Sequence, residues 1–124
     1  MKKILIVDDD PQTTTLLEML LSERGYETTA TTDSSKAIQV ANSTNPDLII
    51  LDLMMPEPDG FKVCRMLRTE TRFIYTPILI VTALDDTDSK IVAFGAGADD
   101  YLIKPYDIEE LTSIIKFLLR EEIE

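Results

Sequence analysis

The chain has 124 residues, of which 23 are acidic and 12 basic, so its formal charge is −11. That length suits one domain with its own buried core, and so acidic a surface repels phosphate backbones, which argues against direct nucleic-acid binding. Cys64 is the only cysteine, which excludes an intrachain disulfide and fits a reducing compartment.

The first apolar run, Ile4 to Val7, reads as a strand. It is too short for the apolar part of a signal peptide because Asp8-Asp9-Asp10 ends it, and no later run is long enough to span a bilayer. The expectation is therefore a cytoplasmic protein with no membrane segment. A helix is predicted over Thr13 to Arg24, with Asp10 as N-cap, Pro11 at the first helical position and Gly25 near the C-cap. Glu27 to Thr31 reads as a strand, Ser35 to Ser43 as a helix, and Leu48 to Leu51 as a strand. Gly60 to Thr69 is a helix that carries Cys64 in its apolar rhythm, so Cys64 reads as core. Ile78 to Val81 is the fourth strand, followed by a helix over Thr87 to Phe94 closed by Gly95. Tyr101 to Ile103 is the fifth strand. The last helix covers Ile108 to Arg120, with Asp107 and Glu110 spaced as a capping box.

The first, third and fourth strands are nearly all apolar, as strands buried on both faces should be. A five-fold βα alternation implies a parallel sheet wrapped by helices on both sides through right-handed crossovers. No repeat, low-complexity tract or linker interrupts it, and residues 1–124 are expected to form a single domain. Ligands of such sheets bind beyond the carboxyl ends of the strands. Three strands end there in charge: Asp8-Asp9-Asp10 after the first, Asp52 after Leu48 to Leu51, and Lys104-Pro105 after the fifth. Asp52 is the most informative, since nothing structural requires a carboxylate at the end of an apolar strand.

Several motifs occur in order: Val7-Asp8-Asp9-Asp10-Pro11, Leu51-Asp52-Leu53-Met54-Met55-Pro56 with Asp59-Gly60, Val81-Thr82-Ala83, Gly97-Ala98-Asp99-Asp100-Tyr101, and Lys104-Pro105. Any one is weak, but together the chain resembles, over essentially its whole length, the receiver domain of the two-component response regulator family. The resemblance implies a flavodoxin-like (βα)5 fold with strand order 2-1-3-4-5. It implies a phosphorylation-dependent switch and not a turnover enzyme: Asp52 would accept a phosphoryl group from a sensor histidine kinase or phosphotransfer protein. Asp8 and Asp9 would match the acidic pair that holds Mg2+, with Thr82 as switch hydroxyl, Lys104 as phosphate contact and Tyr101 as an aromatic that swings inward.

The chemistry of the residues agrees. Like charges around a carboxylate repel an anionic phosphorus donor and raise the carboxylate's pKa. A hard divalent cation removes both obstacles, and Asp9, Asp52, Asp8 through water and the Met54 backbone carbonyl could supply the protein's share of its ligands. An ionised Asp52 has no proton to lose, so no general base is needed. Each residue also has a plainer role: Asp10 as a cap, Thr82 as the end of a strand, Lys104 as a surface lysine and Tyr101 as a half-buried aromatic.

Two positions depart from common family patterns. Met54 and Leu84 stand where relatives often carry polar side chains that influence hydrolysis, so a long-lived phosphoryl group is expected. In the last helix Ile114 and Phe117 lie beside the core stripe Leu111, Ile115, Leu118 and Leu119. Ile114 stands where relatives that dimerise typically have arginine, so this face either makes an apolar contact, to a second copy or an output domain, or widens the buried stripe. Two other readings fit the residues less well. A phosphorylation-independent interaction module has no reason to keep Asp9, Asp52, Thr82 and Lys104 together. An aspartyl phosphatase usually needs a second aspartate two residues after the nucleophile, where Met54 stands.

Overall fold

In the computed structural model, which describes residues 1–121, strands and helices alternate along the chain. The strands are β1 (Lys3–Val7), β2 (Glu27–Thr31), β3 (Leu48–Leu51), β4 (Ile78–Thr82) and β5 (Asp100–Ile103). The helices are α1 (Pro11–Ser22), α2 (Ala37–Thr44), α3 (Gly60–Thr69), α4 (Thr87–Gly95) and α5 (Ile108–Leu118). All neighbouring strands pair in parallel, in the order β2-β1-β3-β4-β5. This is the predicted doubly wound, flavodoxin-like sheet.

The two-residue period of a strand divides the core in two. Leu5, Val7, Ile49, Leu51, Ile78 and Ile80 face α2, α3 and α4, where they meet Ala41, Val63, Leu67 and Ala93. Ile4, Ile6, Leu48, Ile50, Leu79 and Val81 face the other side, against Leu17 and Leu21 of α1 and Leu111 and Ile115 of α5. Burying each such side chain is worth about 1.5–3 kcal/mol, so the three central strands hold most of the sheet's stability. β2 (ETTAT) is an edge strand without a fully buried residue. Cys64 lies in the core as expected, and burial pushes its thiol up to about 11.

Several predicted boundaries move. Helix α1 starts at Pro11 and not Thr13, because Asp10 accepts the Gln12 N–H at 3.0 Å and opens the helix there. The predicted helix from Ser35 begins as a short 3-10 turn, Ser34–Lys36, and becomes α-helical only at Ala37. The Ser34 hydroxyl donates to the Pro56 carbonyl at 3.1 Å and holds that turn against the β3–α3 loop. The Asp107–Glu110 capping box does not form: among the described residues the Asp107 side chain caps nothing, although α5 starts where predicted. Gly95 lies inside α4, and the left-handed residue beyond it is Gly97, at φ 113°.

Candidate functional site

Parallel strands deliver their carboxyl ends to one edge. β1 and β3 are neighbours in register, Val7 opposite Leu51, and the Asp52 N–H donates to the Val7 carbonyl at 3.0 Å. Asp8 and Asp52 therefore leave adjacent strands where the strand order reverses, which is where a crevice opens in such sheets. Thr82 closes β4, and the Lys104 N–H donates to the Thr82 carbonyl at 2.8 Å, so Lys104 enters from the other side. The Lys104–Pro105 peptide bond is cis.

Three side chains meet in this crevice. Lys104 Nζ lies 2.9 Å from Asp8 Oδ2 and 2.9 Å from Asp52 Oδ2. Asp8 and Asp52 are only 4% and 6% exposed. Asp8 Oδ1 accepts the Asp10 N–H at 3.0 Å, and Asp52 Oδ1 accepts the Met54 N–H at 3.1 Å. Burial pushes the Asp8 carboxyl above its ordinary range; the Lys104 bond and the Asp10 amide oppose this without cancelling it. Burial also works against the Lys104 ammonium, but its bonds to Asp8 and Asp52 outweigh that and raise its pKa. The ammonium is held charged between two carboxylates, and the triad still carries a net negative charge.

The β3–α3 wall of the site is tight. A Cβ on Gly60 would come within 2.1 Å of the Asp52 carbonyl oxygen and 2.5 Å of Leu53 Cα, so only glycine lets α3 begin so close to the Asp52 backbone. Asp59 caps this helix by accepting the Lys62 N–H at 2.9 Å.

Thr82 is fully buried, and its hydroxyl has no hydrogen-bond partner among the described residues. Such a group loses its hydration with no compensation, which is costly unless a ligand supplies the partner. Tyr101 is half-buried, and its hydroxyl donates to the Leu84 carbonyl at 2.6 Å, so the aromatic already holds the β4–α4 loop. Phe94 packs beside it, ring centroids 6.3 Å apart, and Lys90 Nζ stands 6.0 Å from the Tyr101 ring centroid.

The donor set suits a hard divalent cation. Asp8 and Asp52 offer oxygen only, beneath a shortage of positive charge, and Mg2+ is typically held by one or two carboxylates while it keeps several waters. The full expected ligand set is not gathered: among the described residues Asp9 is exposed and its side chain makes no hydrogen bond, and no three acidic, histidine or cysteine side chains converge on one point. Lys104 occupies the space between Asp8 and Asp52 instead. Met54 is 53% exposed at the mouth of the site, whereas Leu84 packs against the core.

On the last helix, Ile114 joins the edge of the core while Phe117 is 70% exposed, so the pair divides between the two readings of that face. Sequence reading missed the surroundings of Arg68, whose guanidinium reaches Asp99, 31 residues away. It also missed Tyr26, whose hydroxyl donates to Glu121 at 2.8 Å, and the cis bond between Glu57 and Pro58. Partners so distant leave no local pattern to read. No helix among the described residues is long and apolar enough to cross a membrane.

Comparison with known proteins gives consistent matches. Residues 4–116 match the family model described as response regulator receiver domain. The DNA-binding dual master transcriptional regulator RpaA of Synechocystis is 45% identical over 120 residues, which cover 97% of this chain and 50% of RpaA. The chain thus spans about half the length of the curated relatives it matches. Among solved structures, a response regulator of Chloroflexus aurantiacus superimposes with a TM-score of 0.91 at 37% identity, covering 97% of this chain and 98% of that one. TrrA of Thermotoga maritima, solved in complex with Mg2+ and beryllofluoride, gives 0.85 at 35% identity, covering 95% and 99%.

Proposed function

The chain belongs to the response regulator receiver domain family, and on that premise we propose that it is a phosphorylation-controlled signalling switch whose phosphoacceptor is Asp52. The observation that carries this reading is the single ammonium of Lys104 shared by the buried carboxylates Asp8 and Asp52 at 2.9 Å each. The donor would be a sensor histidine kinase or phosphotransfer protein. Asp52 attacks phosphorus through a carboxylate oxygen, the bond from phosphorus to the donor nitrogen breaks, and that nitrogen keeps the electron pair. Asp8 and Asp52, joined by Asp9 and the Met54 carbonyl, would hold Mg2+, which when bound would supply neutralisation of charge on the phosphoryl oxygens. Lys104 transfers its hydrogen bond from Asp52 to the new phosphoryl group. Catalysis here is positioning and charge compensation, and the domain assists its own phosphorylation and dephosphorylation without turning over a substrate.

The signal follows from the charge added. A phosphoryl group brings roughly two negative charges and strong acceptor oxygens. Reversing a two-state equilibrium from about 1:99 to 99:1 takes about 5.5 kcal/mol, and one hydrogen bond to a charged group supplies about 1.5–3 kcal/mol. The unpartnered Thr82 hydroxyl provides one such bond, and Lys104 and the amide after Thr82 provide the remainder. Tyr101 and the β4–α4 loop then carry the change to α4, β5 and α5.

Beside Lys104, a groove of about 340 Å³ is walled by Leu16, Pro105, Tyr106 and Ile108, and it suits the apolar face of a donor helix. The exposed Phe117 suits contact with a second copy or an output domain. Nucleic-acid binding, which the name of RpaA states for that protein, would belong to an output domain and not to these acidic residues. A phosphorylation-independent module is the second reading, favoured by the bond that Tyr101 already makes to Leu84. Incubation with acetyl phosphate and Mg2+, followed by intact mass, separates the two. Addition of one phosphoryl group that requires Mg2+ and vanishes in Asp52→Asn supports the switch. A folded wild type that gains no mass overturns it.

A further inference from the structure

The two ends of α4 are held very differently. At the carboxyl end Arg68, on α3, spreads its guanidinium over three segments. Nε donates to the Gly97 carbonyl at 2.9 Å, Nη1 to the Phe73 and Thr76 carbonyls at 2.5 and 2.7 Å, and Nη2 to Asp99 Oδ2 at 2.7 Å. The same Asp99 oxygen accepts the Ile78 N–H at 2.8 Å, which ties the network to the start of β4. Cys64 Sγ lies 3.5 Å from the Ala96 carbonyl. The helix also ends in an interlocked turn, with the Gly97 N–H donating to Phe94 and the Ala98 N–H to Ala93. Gly97 is at φ 113°, which side chains rarely adopt, and a Cβ there would lie 2.6 Å from Arg68 Cγ, so the arginine stem packs directly against the left-handed turn.

At the amino end Asp86 caps the helix from within, accepting from the Ser89 N–H and hydroxyl. Among the described residues, the hydrogen bond that ties the adjoining loop to another element is the one from Tyr101 to the Leu84 carbonyl. Four residues lie between Thr82 and Thr87, the first residue of α4. The firmly held end is thus remote from the phosphorylation site and the lightly held end is beside it.

The geometry points to α4 as a lever hinged at Gly97, with Arg68 as the positioning residue that fixes the hinge. The inference deepens the switch proposed above and rests on that reading for its trigger. A helix of nine residues is about 13 Å long, so a tilt about Gly97 displaces the Thr87 end most and the Ile91 and Val92 surface by an intermediate amount. Arg68 thereby turns a local event at Thr82 into a rotation of an apolar surface and prevents the whole helix from sliding.

Amide hydrogen exchange resolved by residue tests this in the intact chain, first without ligand. The amides of Ala96 to Ala98 are expected to exchange more slowly than those of Lys90 and Ile91. Arg68→Met, which keeps the packing stem, is expected to abolish that gradient by speeding the Ala96 to Ala98 amides about tenfold to a hundredfold, the effect of losing one hydrogen bond to a charged donor. Arg68→Lys, which can keep the Asp99 ion pair and loses the fork, is expected to restore part of it, and it carries the comparison if Arg68→Met does not fold. With Mg2+ and beryllofluoride, changes in wild type should centre on Leu84 to Ser89 and leave Ala96 to Asp99 still, whereas in the variant they should spread along the helix. Uniform protection along α4, or a gradient that survives both substitutions, would overturn the lever. A wild type that shows the gradient and ignores beryllofluoride would overturn the switch and leave the hinge standing.

Discussion

Replacing Lys104 by methionine removes the charge on which the site's electrostatics turn. The Lys104 side chain is 25% exposed, and those of Asp8 and Asp52 are 5% and 8% exposed, so both carboxylates would be left buried without a cation. Breaking a buried ion pair by removing one partner costs about 3–5 kcal/mol, and the partial exposure of the lysine puts the expected loss at the lower end, about 3 kcal/mol at neutral pH. The sign of the pH dependence follows from Asp8. Burial already holds its pKa above the ordinary 3.8, and Lys104 is the main force opposing that shift, so removing Lys104 raises it further. A group whose folded pKa is raised contributes stability that is fully present below its unfolded value and is lost as pH rises through the folded one. The Lys104→Met penalty should therefore be full at about pH 7.5 and shrink toward pH 4.5 as the Asp8 carboxyl takes up a proton. Urea denaturation of wild type and variant at both pH values measures it. The same penalty at both would refute the reasoning, as would failure of a second substitution, Asp8→Asn, to recover stability at the higher pH.

The other predictions are briefer. Thr82→Val replaces an unpartnered buried hydroxyl with a methyl group of similar shape, and should raise unfolding stability by about 1 kcal/mol while weakening the spectroscopic response to beryllofluoride. A loss of stability would mean that the hydroxyl has a partner. Tyr101→Phe removes the bond to the Leu84 carbonyl and should cost about 1 kcal/mol, with faster exchange confined to the β4–α4 loop. Polar substitutions at Met54 and Leu84 together should shorten the lifetime of the phosphorylated form, followed by intact mass after removal of the donor. An unchanged lifetime would show that these apolar groups do not limit access of water.

The alternation of elements was legible because buried parallel strands are apolar on both faces, and β1, β3 and β4 are runs of Ile, Leu and Val. The convergence of Asp8, Asp52 and Lys104 was legible because all three follow strand ends in a sheet whose topology the alternation dictates. What remained hidden depends on partners far away in sequence. The pattern of α1 placed its start late because Pro11 and Gln12 lack apolar rhythm, although the cap at Asp10 announced the true start. Gly95 and Gly97 are indistinguishable by composition, and only the folded backbone, left-handed at Gly97, shows which one carries the turn. Asp9 reads like Asp8 in sequence, yet only Asp8 is drawn into the Lys104 bridge. Tyr101 could be placed on β5, but its attachment to Leu84 is a contact between loops that no spacing announces.

The close approach of Gly60 to the Asp52 carbonyl has a mechanical consequence. With α3 pressed against it, the main chain carrying the proposed phosphoacceptor has no room to recoil if a bulky group arrives on the side chain. The crevice has one unyielding jaw, so the added volume must be accommodated by the opposite side, where Thr82 and the β4–α4 loop lie. Directionality would then come from an imbalance in stiffness across the crevice, and a methyl group at residue 60 would prop the stiff side open before any phosphorus arrived.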